Sequence, residues 1–198
     1  MNLNPAHEVA VTEFAEKKPE DMALNSMAIY DPERKIFSLN FVGKEYFVHY
    51  PDGTVWMSEK DDVPQIVQIL LLHYLTHAAP AQVQGKNISF KELPSGMIYV
   101  NPFTNRAIRP LVGIFGQDPS KLIQAGKSLG GEVTDMGDAA VTVPVLPKIP
   151  VTFVIWKGDD EFPPTGNVLF DASAAFHLHT EDYAWLPGLA LSEMKTKV

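Results

Sequence analysis

The sequence predicts an α+β fold in one compact domain, residues 1–198, with an antiparallel or mixed sheet packed around a buried central helix. Three observations lead there. A segment from Asp61-Asp62 to about Ala79 is apolar on nearly every side, residues 35–57 alternate with a period of two, and the C-terminal half holds three β-branched or aromatic runs. A helix without a polar face has to be buried, and alternation marks strands with one face inward. Apolar residues make up 45% of the 198, which fills one core without staples. Three Trp, six Tyr and eleven Phe set the chain apart from disordered polymers, which lack aromatics.

The elements follow in order. Residues 5–17 have helix-forming composition, with a thin stripe of Val9, Phe14 and Ala15. Pro19 stops that helix, and Pro19-Glu20-Asp21 opens another with acidic groups in its first turn, running to about Met27. Phe37, Leu39 and Phe41 then alternate, Gly43-Lys44 supplies a tight turn, and Tyr46, Val48 and Tyr50 alternate again. Pro51-Asp52-Gly53 is a further turn before a short strand from Thr54 to Met57, which completes a β-meander. After the apolar helix, residues 86–100 read as short strands around Pro94-Ser95-Gly96, and 104–115 as a helix with Pro110 in a first turn or at a kink. Asp118 caps the next helix, Pro119 takes its first position and Gly130 ends it. Ala140–Val145, Val151–Trp156 and Val168–Phe170 are strands. Pro144, Pro147 and Pro150 place that region at a sheet edge or beside bulges, because proline cannot donate to a ladder. Thr180-Glu181-Asp182 begins a last helical stretch, interrupted at Pro187-Gly188.

Several function classes are excluded or disfavoured by composition. With no cysteine, the chain offers no thiol nucleophile and no thiolate for an iron–sulfur cluster. The longest apolar stretch, Ile66 to Leu75, falls short of the ~20 residues that a bilayer requires. No basic segment followed by an apolar one opens the chain, so the expected location is the cytoplasm. The net charge is −8: residues 1–62 hold 6 basic and 12 acidic groups, 63–150 hold 7 and 5, and 151–198 hold 3 and 7. Phosphate backbones require clustered Lys and Arg, so nucleic acid is not an expected partner.

Chemistry concentrates in Lys157-Gly158-Asp159-Asp160-Glu161-Phe162-Pro163. Grouped carboxylates raise one another's pKa unless a cation or donors answer them, so Asp159 and Glu161 are candidates for a hard divalent cation or for acid–base work. Solvated loop charge is the plain alternative. Asp171 either converges on that cluster or caps a short helix through Ser173–Ala175, and the cap is the preferred role, since a 151–157/168–171 hairpin separates it from Asp159. His73 and His77 share a helix face at i, i+4, a spacing used by helical metal sites. Position 74 is Tyr, so the zinc-protease pattern is broken. His177 and His179 stand two apart; Arg106 and Arg109 form an anion candidate. Gly126-Lys127-Ser128 imitates a phosphate loop without its earlier glycine.

A set of motifs runs Leu72-His73-Tyr74-Leu75, Phe115-Gly116, Leu129-Gly130-Gly131, Gly137-Asp138-Ala139-Ala140, Pro147-Lys148-Ile149-Pro150, Trp156 to Pro163, Leu169 to Ala174, and Glu181-Asp182. Taken together, these resemble a bacterial and archaeal family catalogued as domain of unknown function 3786. The resemblance spans about residues 60–186, and its specific parts are Trp156–Pro163 and Leu169–Ala174. It implies weight on Asp138, Asp159, Glu161, Asp171 and His73. Members look typical of anaerobes, and some longer ones carry a four-cysteine iron–sulfur segment. The resemblance therefore implies service in corrinoid or iron–sulfur one-carbon metabolism, with any cluster residing on a partner.

Three functions are consistent with these residues. The favoured one is an accessory protein that binds a cofactor or partner with Trp156 and Phe162, rimmed by Asp159, Glu161, Asp171 and Asp138. The second is a metal-assisted hydrolase or lyase using Asp159 and Glu161, with His73 and His77 as further ligands. The third is an acidic interaction module that docks a basic partner. No particular cofactor is specified.

Overall fold

The computed structural model of the protein describes residues 2–57 and 62–198. It is an α+β fold whose strands form two sheets, one of four strands and one of five. Internal contacts divide the chain into two compact units. One holds the residues up to Gln82 with 146–148 and 176–178; the other holds 83–145, 149–175 and 179–198.

In the first unit, α1 (Asn4–Ala15) and α2 (Pro19–Ser26) precede β1 (Ile29–Asp31), β2 (Ile36–Phe41), β3 (Lys44–His49) and β4 (Val55–Trp56), and α3 (Gln65–His77) follows. The four strands form an antiparallel meander in sequence order. β1 is an addition to the expected three strands. It pairs only three residues with β2, too short for alternation to announce it. The β2–β3 turn lies one residue earlier than expected, at Val42-Gly43, because Phe41 faces Lys44 and both intervening residues take positive φ. Two-residue hairpins favour that geometry because its twist suits the strands.

α3 is the buried helix the sequence predicts. Leu70, Leu71, Leu72, Tyr74 and Leu75 are fully enclosed, and each such leucine contributes roughly 1.5–3 kcal/mol by leaving water. Its observed start follows Pro64; Asp61, expected at that start, lies outside the described residues. Phe14 and Ala10 carry the inner face of α1, while Val9, expected in that stripe, is exposed. Phe14 meets Phe37 and Tyr50 edge-on at 5.8 and 5.6 Å. Tyr50 Oη in turn donates toward the Ala15 and Lys17 carbonyls at the end of α1.

A polar junction sits inside this apolar unit. Tyr74 Oη donates to the Ser26 carbonyl (2.9 Å) and accepts from the Lys148 N–H (3.1 Å). Burial pushes the Tyr74 pKa above its ordinary value despite that amide. The Lys148 ammonium is buried too and donates to the Ala79 carbonyl (3.0 Å), just past α3. A cation there complements the helix C-terminus, while desolvation lowers its pKa.

The second unit contains β5 (Asn87–Ser89), a 3₁₀ turn at Phe90–Glu92, α4 (Gly96–Phe103), a π-helical stretch at Thr104–Ile108, α5 (Arg109–Phe115) and α6 (Pro119–Ser128). Then come β6 (Glu132–Val133), β7 (Ala139–Leu146), β8 (Ile149–Trp156), β9 (Thr165–Asp171), α7 (Thr180–Tyr183) and α8 (Leu186–Lys195). Sheet order is β5-β9-β8-β7-β6.

Three expectations are corrected here. Residues 96–103 are helical, not strand: Phe103 at the end of α4 stacks on Phe90 with ring centroids 4.1 Å apart, and that packing overrides the β-branched composition. The proline-bearing strands are interior, with β8 at the centre of the sheet order. Pro144 is tolerated because β6 pairs only with Val141 and Thr142 of β7, and Pro150 precedes the first β8–β9 pair, Val151↔Phe170. The last helical stretch is interrupted at Ala184-Trp185, before Pro187-Gly188, and Pro187 stands in the first turn of α8, where a proline forfeits no bond.

Replacing Tyr74 by Phe removes one hydroxyl that satisfies two buried backbone groups. Urea denaturation of Tyr74→Phe is expected to show a loss of about 1–3 kcal/mol; an unchanged midpoint would mean that neither bond contributes.

Candidate functional site

The β8–β9 register decides where each candidate side chain stands. Pairs run from Val151↔Phe170 to Trp156↔Thr165, so the 157–164 connection lies at one end of the ladder and Asp171 at the other. At ~3.3 Å per residue, the six steps from Thr165 to Asp171 separate them by about 20 Å.

The connection is tightly built. Asp159 N–H donates to the Phe162 carbonyl (2.9 Å), while Asp159 Oδ1 accepts from the Glu161 and Phe162 amides at 2.9 and 2.8 Å. These amides hold the Asp159 carboxyl below the usual aspartate pKa, because hydrogen bonds to the charged form favour it. Gly158 lets the turn close. A Cβ there would lie 2.7 Å from both the Phe162 carbonyl oxygen and the Pro164 nitrogen.

Asp138 secures the approach to this turn. Its N–H donates to the Ile155 carbonyl (2.9 Å) and its Oδ2 accepts from the Lys157 N–H (2.7 Å), bracketing Trp156. Gly137 allows that approach: it has φ of +56°, and an added Cβ would lie 2.6 Å from the Ile155 oxygen.

A concavity of about 300 Å³ opens beside the turn, lined by Gly116, Gln117, Lys157, Gly158, Asp159, Phe162, Pro163 and Pro164. Its far wall is the C-terminal end of α5, which carries partial negative charge. Phe162 is 67% exposed and Trp156 44%. Asp160 and Glu161 are also exposed.

Asp171 plays another part. Its Oδ1 accepts from the Gln84 and Ser173 amides and the Ser173 hydroxyl, and its Oδ2 from the Gly85 and Lys86 amides. Desolvation of this buried group pushes its pKa up, but the Gln84, Ser173 and Gly85 donors outweigh that and leave it lowered. The short helix expected after it is a 3₁₀ turn at Ala174–Phe176, but Asp171 binds Ser173 ahead of that turn and none of the turn's own amides, so it orders the approach instead of capping the helix. The hold on residues 84–86 is the part that sequence does not announce.

His73, His77 and His177 belong to the first unit, and His179 belongs to the second. His73 and His77 are half-buried, with rings edge-to-face at 5.7 Å, and His77 Nε2 lies 3.3 Å from Glu13 Oε2. His177 is fully buried in the same unit. Among the described residues, no group of three or more His, Asp or Glu side chains is arranged to hold a metal ion. Arg106 lies over the Trp185 ring, 3.5 Å from its centroid; this face-on contact occupies the side chain expected as an anion candidate.

The model of a family described as a domain of unknown function, DUF3786, matches residues 18–192. The chain belongs to the DUF3786 family. The match begins about forty residues earlier than the motifs suggest, so the DUF3786 domain takes in α2 and the meander as well as the region of the turn. No curated protein and no solved structure matches this DUF3786 chain. No helix among the described residues is long and apolar enough to cross a membrane.

Reasoning from sequence missed Gln117, Pro164 and the α5 end as walls of the concavity. Phe115-Gly116 stood among the family motifs without a role. The available signal was the glycine itself, whose added Cβ would sit 3.0 Å from the Pro164 ring.

A lowered carboxyl pKa makes Asp171 stabilising at neutral pH. That contribution is present in full above the unfolded aspartate value, near ~3.9, and is lost as pH falls through the lower folded value. Asp171→Ala is expected to cost about 1–3 kcal/mol at pH 7 by removing the acceptor shared by the Gln84, Gly85, Lys86 and Ser173 donors. Denaturation at pH 7 and pH 3 is expected to show the gap between wild type and variant shrinking in acid; a gap independent of pH would contradict the assignment.

Proposed function

We propose that this DUF3786 protein is an accessory binding protein that docks a cofactor-carrying partner on its 156–164 turn. The observation that carries the reading is Phe162, 67% exposed on a turn that Asp159 and Gly158 hold in shape. A large ring kept in water by a rigid segment is poised for an interface, and such anchors dominate binding energy.

The concavity's size favours a macromolecular partner over an engulfed cofactor. About 300 Å³ lies at the lower limit of small-molecule sites, enough for one protruding side chain and too small to enclose a corrin or haem. Asp159 and the α5 C-terminus offer acceptors to a side chain entering that space, beside the Lys157 cation that also lines it. Asp160 and Glu161 extend the negative rim and would steer a basic surface toward it. The acidic-module reading and the accessory reading thus converge on one surface.

The partner's identity rests on the family resemblance, which points to corrinoid or iron–sulfur proteins of anaerobic one-carbon metabolism. Lacking cysteine, the chain would meet a cluster only on that partner. A cytoplasmic setting is consistent with this, and the acidic rim argues against a nucleic-acid ligand. The metal-assisted hydrolase or lyase draws less support. Asp159 Oδ1 is already committed to two amides, and no third donor is grouped with Asp159 and Glu161 among the described residues.

The test is anaerobic titration of the purified protein against purified corrinoid and iron–sulfur proteins of the same cell. Phe162→Ala is expected to weaken association by about tenfold or more without lowering the melting temperature. Asp160→Asn with Glu161→Gln is expected to slow association and blunt its salt dependence. Absence of binding to either class, or binding indifferent to Phe162→Ala, would overturn the proposal.

A further inference from the structure

The first unit carries a second concavity, remote in sequence from the 156–164 turn. It measures about 440 Å³ and is lined by Ile29, Asp31, Arg34, Ile36, Ser38, Phe47 and Trp56. All but Arg34, which stands in the β1–β2 turn, belong to the outward face of the meander, opposite to the enclosed Phe37, Leu39, Tyr46 and Val48. Strand alternation normally gives such a face to polar side chains. Here Phe47 and Trp56 are direct cross-strand partners, with rings stacked at 5.6 Å and 24°. Ile29, opposite Ser38 and so two strands from Phe47, is 73% exposed.

The polar groups around this apolar floor are few and specific. Asp31 Oδ1 accepts from the Glu33 and Arg34 amides, and its Oδ2 lies 3.8 Å from Arg34 Nε. The Asp31 charge is therefore answered by its own turn. Arg34 is engaged through Nε, and its side chain is 79% exposed, with Asp31 its one ion-pair partner among the described residues. Ser38 likewise lines the space. An exposed guanidinium presents a planar fork suited to a carboxylate. A concavity of this volume, mostly apolar with a few convergent polar groups, has the form of a small-molecule site.

We infer that the outward face of β2–β4 binds a planar aromatic acid, its ring against Phe47 and Trp56 and its carboxylate on Arg34. The ring supplies the flat apolar surface that offset stacking requires. The acid group supplies the two acceptors that Arg34 can take at once, and Ser38 adds a third contact. The second unit contributes no residue to this site, so it stands or falls apart from the proposed partner docking.

The experiment uses 2-naphthoate as probe, with 2-naphthamide and cyclohexanecarboxylate as controls for the charge and the ring. Binding to the full chain is followed by saturation-transfer NMR and by amide shifts. For a ligand of this size, naphthoate is expected to bind with Kd of about 1 mM or tighter, moving amides in 31–38 and 47–56 and outcompeting both controls. Phe47→Leu keeps an apolar side chain and is expected to weaken binding at least fivefold. Arg34→Gln is expected to abolish the preference for naphthoate over naphthamide. Lack of saturable binding at several millimolar, shifts centred elsewhere, or affinities unchanged in both variants would overturn the inference.

Discussion

The antiparallel pairing of β8 with β9 is the constraint on which the candidate site depends. Once Val151 faces Phe170 and Trp156 faces Thr165, the eight residues between the strands must turn back at one end, and Asp171 must stand at the other. Local bonds then set what each end does. Asp138 grips the backbone on both sides of Trp156, and Asp159 gathers the amides of Glu161 and Phe162. The result is a short loop whose side chains are aimed before anything binds. Preorganisation of this kind lowers the ordering cost of association.

One residue type serves several purposes within this unit. Asp171 is buried and answered by five donors from 84–86 and Ser173; Asp138 takes one amide; Asp159 takes two while exposed. Asp160 and Glu161 are left to solvent. All five are acidic residues next to apolar strands in the sequence, where their duties cannot be told apart. The grouping expected to raise a pKa instead leaves Asp159 lowered, because the Glu161 and Phe162 amides donate to its carboxylate.

Much of the fold was legible because periodicity and punctuation agree. α3 announced itself through unbroken apolarity, the meander through alternation, and α6 through Asp118, Pro119 and Gly130. The misreadings share a cause: partners distant in the chain. Met97–Val100 look strand-like until Phe103 is known to stack on Phe90, and Pro144 looks edge-bound until β6 proves to be two residues long. Of the candidate site, Trp156, Asp159 and Phe162 were readable as an unusual turn. The α5 end that completes the concavity was not, since forty residues separate it from the turn. Phe47 and Trp56 were visible as aromatics, but only register puts them side by side on the outward face.

The central claim is that the Gly158–Phe162 turn is held in one shape in the free protein. Backbone ¹⁵N order parameters test it most directly. Values near ~0.85 across Asp159–Phe162, comparable to β8 and β9 and falling in Asp159→Ala but not in Asp159→Asn, are the predicted result. Values under ~0.6 in the wild-type protein would describe a flexible loop and contradict the account.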